Sequence, residues 1–213
     1  MAPMKHRGML ISIEGGEGAG KSTVLHAVRD LLVDRGLDVV LTREPGGTEC
    51  GEAIRHILLD PEGKPCAETE LLLMFASRAQ LVDEVIRPAI ERGEAVLTDR
   101  FTDASFAYQG GGRGIDMGLI AELERWAAGM RPDLTFLLDV GVSVGLARAR
   151  SRGAAPDRIE NEEVEFFERV RAVYLARAAA EPGRFRIIDA SKSAEAVLNS
   201  VTSALSDWLD QRR

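Results

Sequence analysis

The sequence predicts an α/β fold, a doubly wound five-stranded parallel sheet flanked by helices. Short runs rich in leucine and β-branched residues alternate with amphipathic helical patterns along the whole chain. The runs are apolar at successive positions, as strands buried on both faces are, rather than at every second one. A glycine-rich turn joins the first run to the first helical pattern. In a parallel sheet that junction is where ligands bind.

"MLISIE", Met9 to Glu14, predicts the first strand, and residues 1–8 before it predict a tail. The tail is basic but lacks the apolar core of a signal peptide. A helix follows the turn, with Val24, Leu25, Val28, Leu31 and Leu32 on one stripe and a stop near Gly36. "DVVLTR", Asp38 to Arg43, predicts a second strand. A helix from about Glu68 towards Pro88 carries Leu71, Leu72, Phe75, Val82 and Ile86 at helical spacing. "AVLTD", Ala95 to Asp99, "LTFLLD", Leu134 to Asp139, and "FRIID", Phe185 to Asp189, predict the remaining strands. Further helices are expected over roughly Glu162 to Glu181 and along Val197, Leu198, Val201, Leu205 and Trp208. Without a repeat or a low-complexity linker, residues 9–213 are read as one domain.

The formal charge of −7 over 213 residues disfavours a nucleic-acid polymer as partner, since a phosphate backbone calls for a broad basic face. Two cysteines, Cys50 and Cys66, make no disulfide framework, so a reducing cytoplasm is expected. The three histidines form no metal-ligand spacing. No run of about 18 apolar residues occurs, so no membrane span is expected.

The turn itself is specific. Gly15-Gly16-Glu17-Gly18-Ala19-Gly20-Lys21-Ser22, with Thr23 after it, fits G-x-x-x-x-G-K-[ST] between a strand and an amphipathic helix. Glycines let successive backbone N–H groups turn inward onto phosphate oxygens, and the helix N-terminus adds its positive dipole end. A P-loop NTPase-type fold is therefore expected, with a nucleoside triphosphate as ligand, Lys21 on its β- and γ-phosphates and the Ser22 hydroxyl on Mg²⁺. A second carboxylate should serve the metal. Asp99, Asp139 and Asp189 all end strands, and the pairing of Asp99 with Arg100 favours Asp99, one residue for the metal and its neighbour for an anion.

A phosphate cradle alone leaves motor, switch and kinase open. Arg100, and Arg55 from the helix after "TREPGGT", can grip a second phosphate with bidentate contacts. Phe75 and Arg78 lie three apart on one helix face, and Met74 and Arg78 four apart, an apolar plate beside a guanidinium that suits a planar base bearing a carbonyl. Core packing is the competing role for Phe75.

"IEGGEGAGKST", "REPGGT", "DRF…AYQGGGRGID" and "RARSRGAAPDRIE" occur in that order from about Met9 to Asp189, and together they resemble bacterial thymidylate kinases, which phosphorylate dTMP with ATP. The resemblance implies that Glu17 contacts the deoxyribose hydroxyl near the reacting phosphates, that Arg55 and Arg100 hold the dTMP phosphate, and that Arg78 hydrogen-bonds the thymine. It further implies that Ser105 and Gln109 line the base and sugar pocket, that Tyr108 crowds the 2′ position, and that the protein is a homodimer. The family often places its stacking aromatic four residues before the arginine, where this chain has Met74. Met74 and Phe75 therefore both remain candidates to cover the base.

A segment of about residues 148–160 holds Arg148, Arg150, Arg152 and Arg158, with Gly153 and Pro156 interrupting any helix across it. It is expected to be a lid bringing cations to the transferring phosphoryl group, with Arg150 and Arg152 first and Arg158 next. A solvated charge run is the alternative. In that case, or without an acceptor site, the chain would be a regulatory P-loop ATPase or switch. A kinase for another nucleoside monophosphate is the alternative within the same fold.

Overall fold

The computed structural model describes residues 8–151 and 157–212. Five strands form one parallel sheet: β1 Met9–Gly15, β2 Val39–Arg43, β3 Ala95–Asp99, β4 Leu134–Asp139 and β5 Phe185–Asp189. Their order is β2-β3-β1-β4-β5. The helices are α1 Lys21–Asp34, α2 Glu49–Leu59, α3 Ala67–Leu81, α4 Arg87–Arg92, α5 Thr102–Ser105, α6 Met117–Leu123, α7 Val142–Arg150, α8 Val164–Ala180 and α9 Ala194–Asp210.

Both sheet faces are covered, which is why the strands show no polar alternation. Met9, Ile11 and Ile13 of β1 join Leu97, Phe136 and Leu138 in a core with Val24, Val28 and Leu32 of α1 and Val201 and Leu205 of α9. On the other face Leu10 and Val96 meet Leu81 at the end of α3 and Val82 and Ile86 just after it. Leu137 there packs with Tyr108 and with Phe166, Phe167, Val170 and Tyr174 of α8.

Register positions the site. Arg43 aligns with Asp99 across β2 and β3, and Ile13 aligns with Asp99 across β1 and β3. β2 and β3 therefore end level, and β1 runs on past them through Glu14 to Gly15 into the glycine turn, at the switch in strand order where α/β sheets bind ligands.

Two stretches of helix are continued through π-helical turns. The helix expected from about Glu68 towards Pro88 is α3, which a π-helical turn, Val82–Ile86, carries into α4, with Pro88 in the first turn of α4. The glycines of "AYQGGG" are helical too, in a π-helical segment Phe106–Gly112 that continues α5. They let that segment approach α8 closely. A Cβ on Gly111 would lie 2.7 Å from Val173 Cγ2 and 2.9 Å from the Arg169 carbonyl oxygen. Arg169 in turn donates from Nε to the Gly111 carbonyl at 3.2 Å and from Nη2 to the Gly112 carbonyl at 2.9 Å.

Candidate active site

A cavity of about 480 Å³ opens at the carboxyl ends of β1, β2 and β3. Its size lies in the range of small-molecule sites. The glycine turn forms one wall, with Gly18 and Gly20 at φ 67° and 90°, which an L side chain rarely adopts. A Cβ on Gly18 would also overlap the Gly145 carbonyl, so α7 lies directly against the loop.

Lys21 begins α1 and folds back over the cradle, donating from Nζ to the carbonyls of Gly15 at 3.2 Å and Gly16 at 3.0 Å. Burial, and then the nearby Arg100 charge, push its ammonium below the ordinary lysine range. Ser22, Thr23 and Asp99 line the same wall. Asp99 Oδ1 is buried with no hydrogen-bond partner among the described residues. A buried carboxylate oxygen without a donor suits a cation or its bound water.

Across the cavity stands a second group of charges. Arg100 sits at φ 71° and donates to Glu17 Oε1 at 2.6 Å. Tyr108 donates its hydroxyl to the same oxygen at 2.9 Å, and the Arg100 guanidinium stacks 4.7 Å from the Tyr108 ring centroid. Arg55 reaches the wall from α2, whose N-terminus Thr48 caps by accepting from the Gly51 N–H. Arg55 donates to the Pro45 carbonyl at 2.8 Å. Burial, and then neighbouring Arg43, push its pKa down, so the group gains from an anion.

The base-binding expectations are partly redrawn. Met74 and Gln109 line the cavity, but Phe75, Arg78 and Ser105 do not. Phe75 packs with Leu71, Phe106 and Ile120, and its ring lies 4.5 Å under the Arg78 guanidinium. The helix turns Met74 to the cavity and Phe75 to the core. Arg78 is fully buried behind the wall. It donates from Nε and Nη2 to Glu44 Oε2 at 2.8 and 2.6 Å, from Nη1 to Ser105 Oγ at 3.0 Å, and to the Phe101 carbonyl at 3.2 Å. Its charge is committed to a buried carboxylate.

The arginine segment is redrawn as well. Arg148, not Arg150, lines the cavity, donating to the Ala190 carbonyl at 2.7 Å. Arg150 ends α7 exposed to solvent. Arg158 turns away: it donates from Nε to the Leu58 carbonyl at 2.9 Å and from Nη2 to Glu70 at 2.7 Å. Arg152 lies outside the described residues. Sequence reading weighed only the cations here and missed Asp157 and Glu160, which reach the cavity wall. The spacing of acids in "PDRIE" was their signal. Glu44 on the wall was also missed, although the strand-ending "TREP" pointed to it.

Below the loop lies Glu14, fully buried at the end of β1. It accepts from the Phe101 N–H at 2.7 Å and from the Tyr174 hydroxyl at 2.7 Å. Burial, and then the charge of Asp103, push its carboxyl up to about 8. Among the described residues no helix is long and apolar enough to cross a membrane.

This geometry can hold one polyphosphate on a backbone cradle and a second anion opposite it. Comparison with known proteins agrees. A family model described as thymidylate kinase matches residues 13–201. A thymidylate kinase of Alkalilimnicola ehrlichii is 55% identical over 209 residues, covering 95% of this chain and 96% of the relative. One of Ectopseudomonas mendocina is 51% identical over 208 residues, covering 97% and 99%. The crystal structure of thymidylate kinase from Ehrlichia chaffeensis matches with a TM-score of 0.75 at 33% identity, covering 95% of this chain and 98% of that one.

Proposed function

The chain belongs to the thymidylate kinase family, and from that premise we propose that it transfers the γ-phosphoryl group of ATP to dTMP within this cavity, giving ADP and dTDP. One observation carries the reading: the phosphate cradle and a second pair of cations, Arg55 and Arg100, line the same cavity. A regulatory ATPase or switch would leave that second pair without a role.

The backbone of Gly15, Gly16, Glu17, Gly18, Ala19 and Gly20 cradles the donor phosphates, with Lys21, Ser22 and Thr23 completing the grip. Lys21 exchanges its two carbonyl acceptors for phosphate oxygens. Ser22 and Asp99 fit a Mg²⁺ ion, and the unpartnered buried oxygen of Asp99 is the observation that supports it. When bound, that ion neutralises charge on the transferring phosphates.

Arg55 and Arg100 hold the acceptor phosphate in line with the donor. Phosphoryl transfer needs little beyond positioning and charge stabilisation, so this grip supplies much of the catalysis. Glu17 accepts from Arg100 and Tyr108, orienting the guanidinium beside the acceptor's sugar. Tyr108 closes the space at the 2′ position, and Met74 and Gln109 face the base. Arg148, with Arg150 at the end of the same helix, brings further positive charge to the phosphoryl group.

The protein assembles as a homodimer through an apolar face that includes Leu72 of α3, Leu119 of α6 and Trp126 just beyond it. These side chains are exposed, Trp126 to 80%, and packing them against a second copy would take their apolar surface out of water. Trp126→Asp should sediment as a monomer, and an unchanged dimer would remove this face from the interface. A cytoplasmic setting accords with two exposed free thiols, Cys50 and Cys66.

ADP release measured by a coupled assay across dTMP, dCMP, dGMP and dAMP tests the substrate. Turnover should be fastest with dTMP. Equal turnover of all four would leave a kinase without thymidylate preference.

A further inference from the structure

Glu70 does not line the cavity, yet three donors from three parts of the chain converge on its carboxylate. Gln109 donates from Nε2 to Oε1 at 2.8 Å. Arg113 donates from Nε to both oxygens at 3.3 and 3.2 Å. Arg158 donates from Nη2 to Oε2 at 2.7 Å. Glu70 and Gln109 are each 1% exposed. Burial alone would raise the Glu70 pKa, but the hydrogen bonds from Gln109, Arg113 and Arg158 outweigh it and hold the group below its ordinary value. An ionised carboxylate can only accept hydrogen bonds.

That fixes the Gln109 amide. Its nitrogen must face Glu70, so its oxygen faces the other way. Gln109 Oε1 is buried and has no hydrogen-bond partner among the described residues, while Gln109 itself lines the cavity wall. A buried acceptor left unpaired is costly, and a ligand that brings a donor relieves the cost.

We propose that Glu70 is a positioning residue for base selection: it locks the Gln109 amide with its oxygen available to the cavity, so that the pocket favours a base presenting a ring N–H there. The inference rests on reading this cavity as the dTMP site. Thymine carries an N–H at ring position 3, where cytosine carries a bare acceptor nitrogen. Two acceptors facing each other repel, and a site built to pair with an N–H rejects the analogue lacking it more strongly than shape alone does. The same carboxylate also tethers Arg158.

The test is steady-state kinetics of the full chain with ATP, comparing kcat/KM for dTMP and dCMP. In Glu70→Gln the side chain can donate as well as accept, and Gln109 is free to turn over. The dTMP:dCMP ratio should then fall at least about tenfold, with the KM for ATP changed less than about threefold because the cradle is untouched. Gln109→Leu should lower the ratio similarly, and adding Glu70→Gln to it should lower the ratio no further, since both act through one contact. A Glu70→Gln enzyme that slows on both substrates with its ratio intact would make Glu70 a structural anchor only. If Glu70→Gln does not fold, Gln109→Leu decides alone, and an intact ratio there overturns the proposal. A parent enzyme inactive on dTMP would instead overturn the substrate reading, and this inference with it.

Discussion

Arg78 and Glu44 form an ion pair with side chains 0% and 2% exposed, so removing one partner strands the other. Burial pushes the Glu44 carboxyl up, and Arg78 opposes that shift. Breaking a buried pair typically costs about 3–5 kcal/mol. Arg78→Ala should therefore lose about that much stability in urea denaturation, beyond any change in dTMP affinity. A variant as stable as the parent would mean that the pair is not formed. Glu14 supplies a pH-dependent counterpart. Its folded pKa of about 8 lies above the ordinary 4.5, so between those values the native state holds a proton that the unfolded chain has released. Raising the pH through that window therefore lowers stability. Asp103, Arg100, Tyr174 and the Phe101 N–H face the group, and Asp103 reinforces the shift that Arg100 and the hydrogen bonds oppose. Glu14→Gln cannot titrate, so the melting temperature of the variant relative to the parent should rise with pH across the window. A constant difference would show that Glu14 is ionised throughout.

Among the elements, the π-helical segment Phe106–Gly112 shows what periodicity cannot convey. Three successive glycines usually signal a loop. Here the carbonyls of Gly111 and Gly112 are met by Arg169, and the missing side chains make room for α8. Gly111→Ala must displace Val173 or the Arg169 backbone. Such overpacking typically costs about 1–3 kcal/mol, readable as a lower melting temperature, and an unchanged value would mean that the two helices are not in close contact. The strands, by contrast, were legible almost to the residue, because burial on both faces leaves unbroken apolar runs such as "AVLTD" and "LTFLLD". The glycine turn was legible for the same local reason. Phe75 and Met74 were not separable, since one residue of rotation on α3 decides which meets the cavity. The hydrogen bonds of Arg158 were not legible, because its partners, Glu70 and Leu58, lie 88 and 100 positions away, and no local pattern reports them.

For the whole molecule, the order β2-β3-β1-β4-β5 brings the carboxyl ends of β1, β2 and β3 around one cavity. The donor cradle comes from β1 and α1, and the acceptor cations come from α2 and the end of β3. Sequence could name those parts, whereas only the register of Arg43, Asp99 and Ile13 puts them at one depth. That shared depth is the central claim: one cavity accepts both nucleotides and passes phosphoryl directly between them. It is tested most directly by incubating the protein with dTMP, Mg²⁺ and ATP labelled in its γ-phosphate, and then separating the products. The label should appear in dTDP, with little in inorganic phosphate and little ATP consumed when dTMP is omitted. Label released as inorganic phosphate at the same rate with or without dTMP would contradict it, leaving an ATPase whose second set of cations serves another purpose.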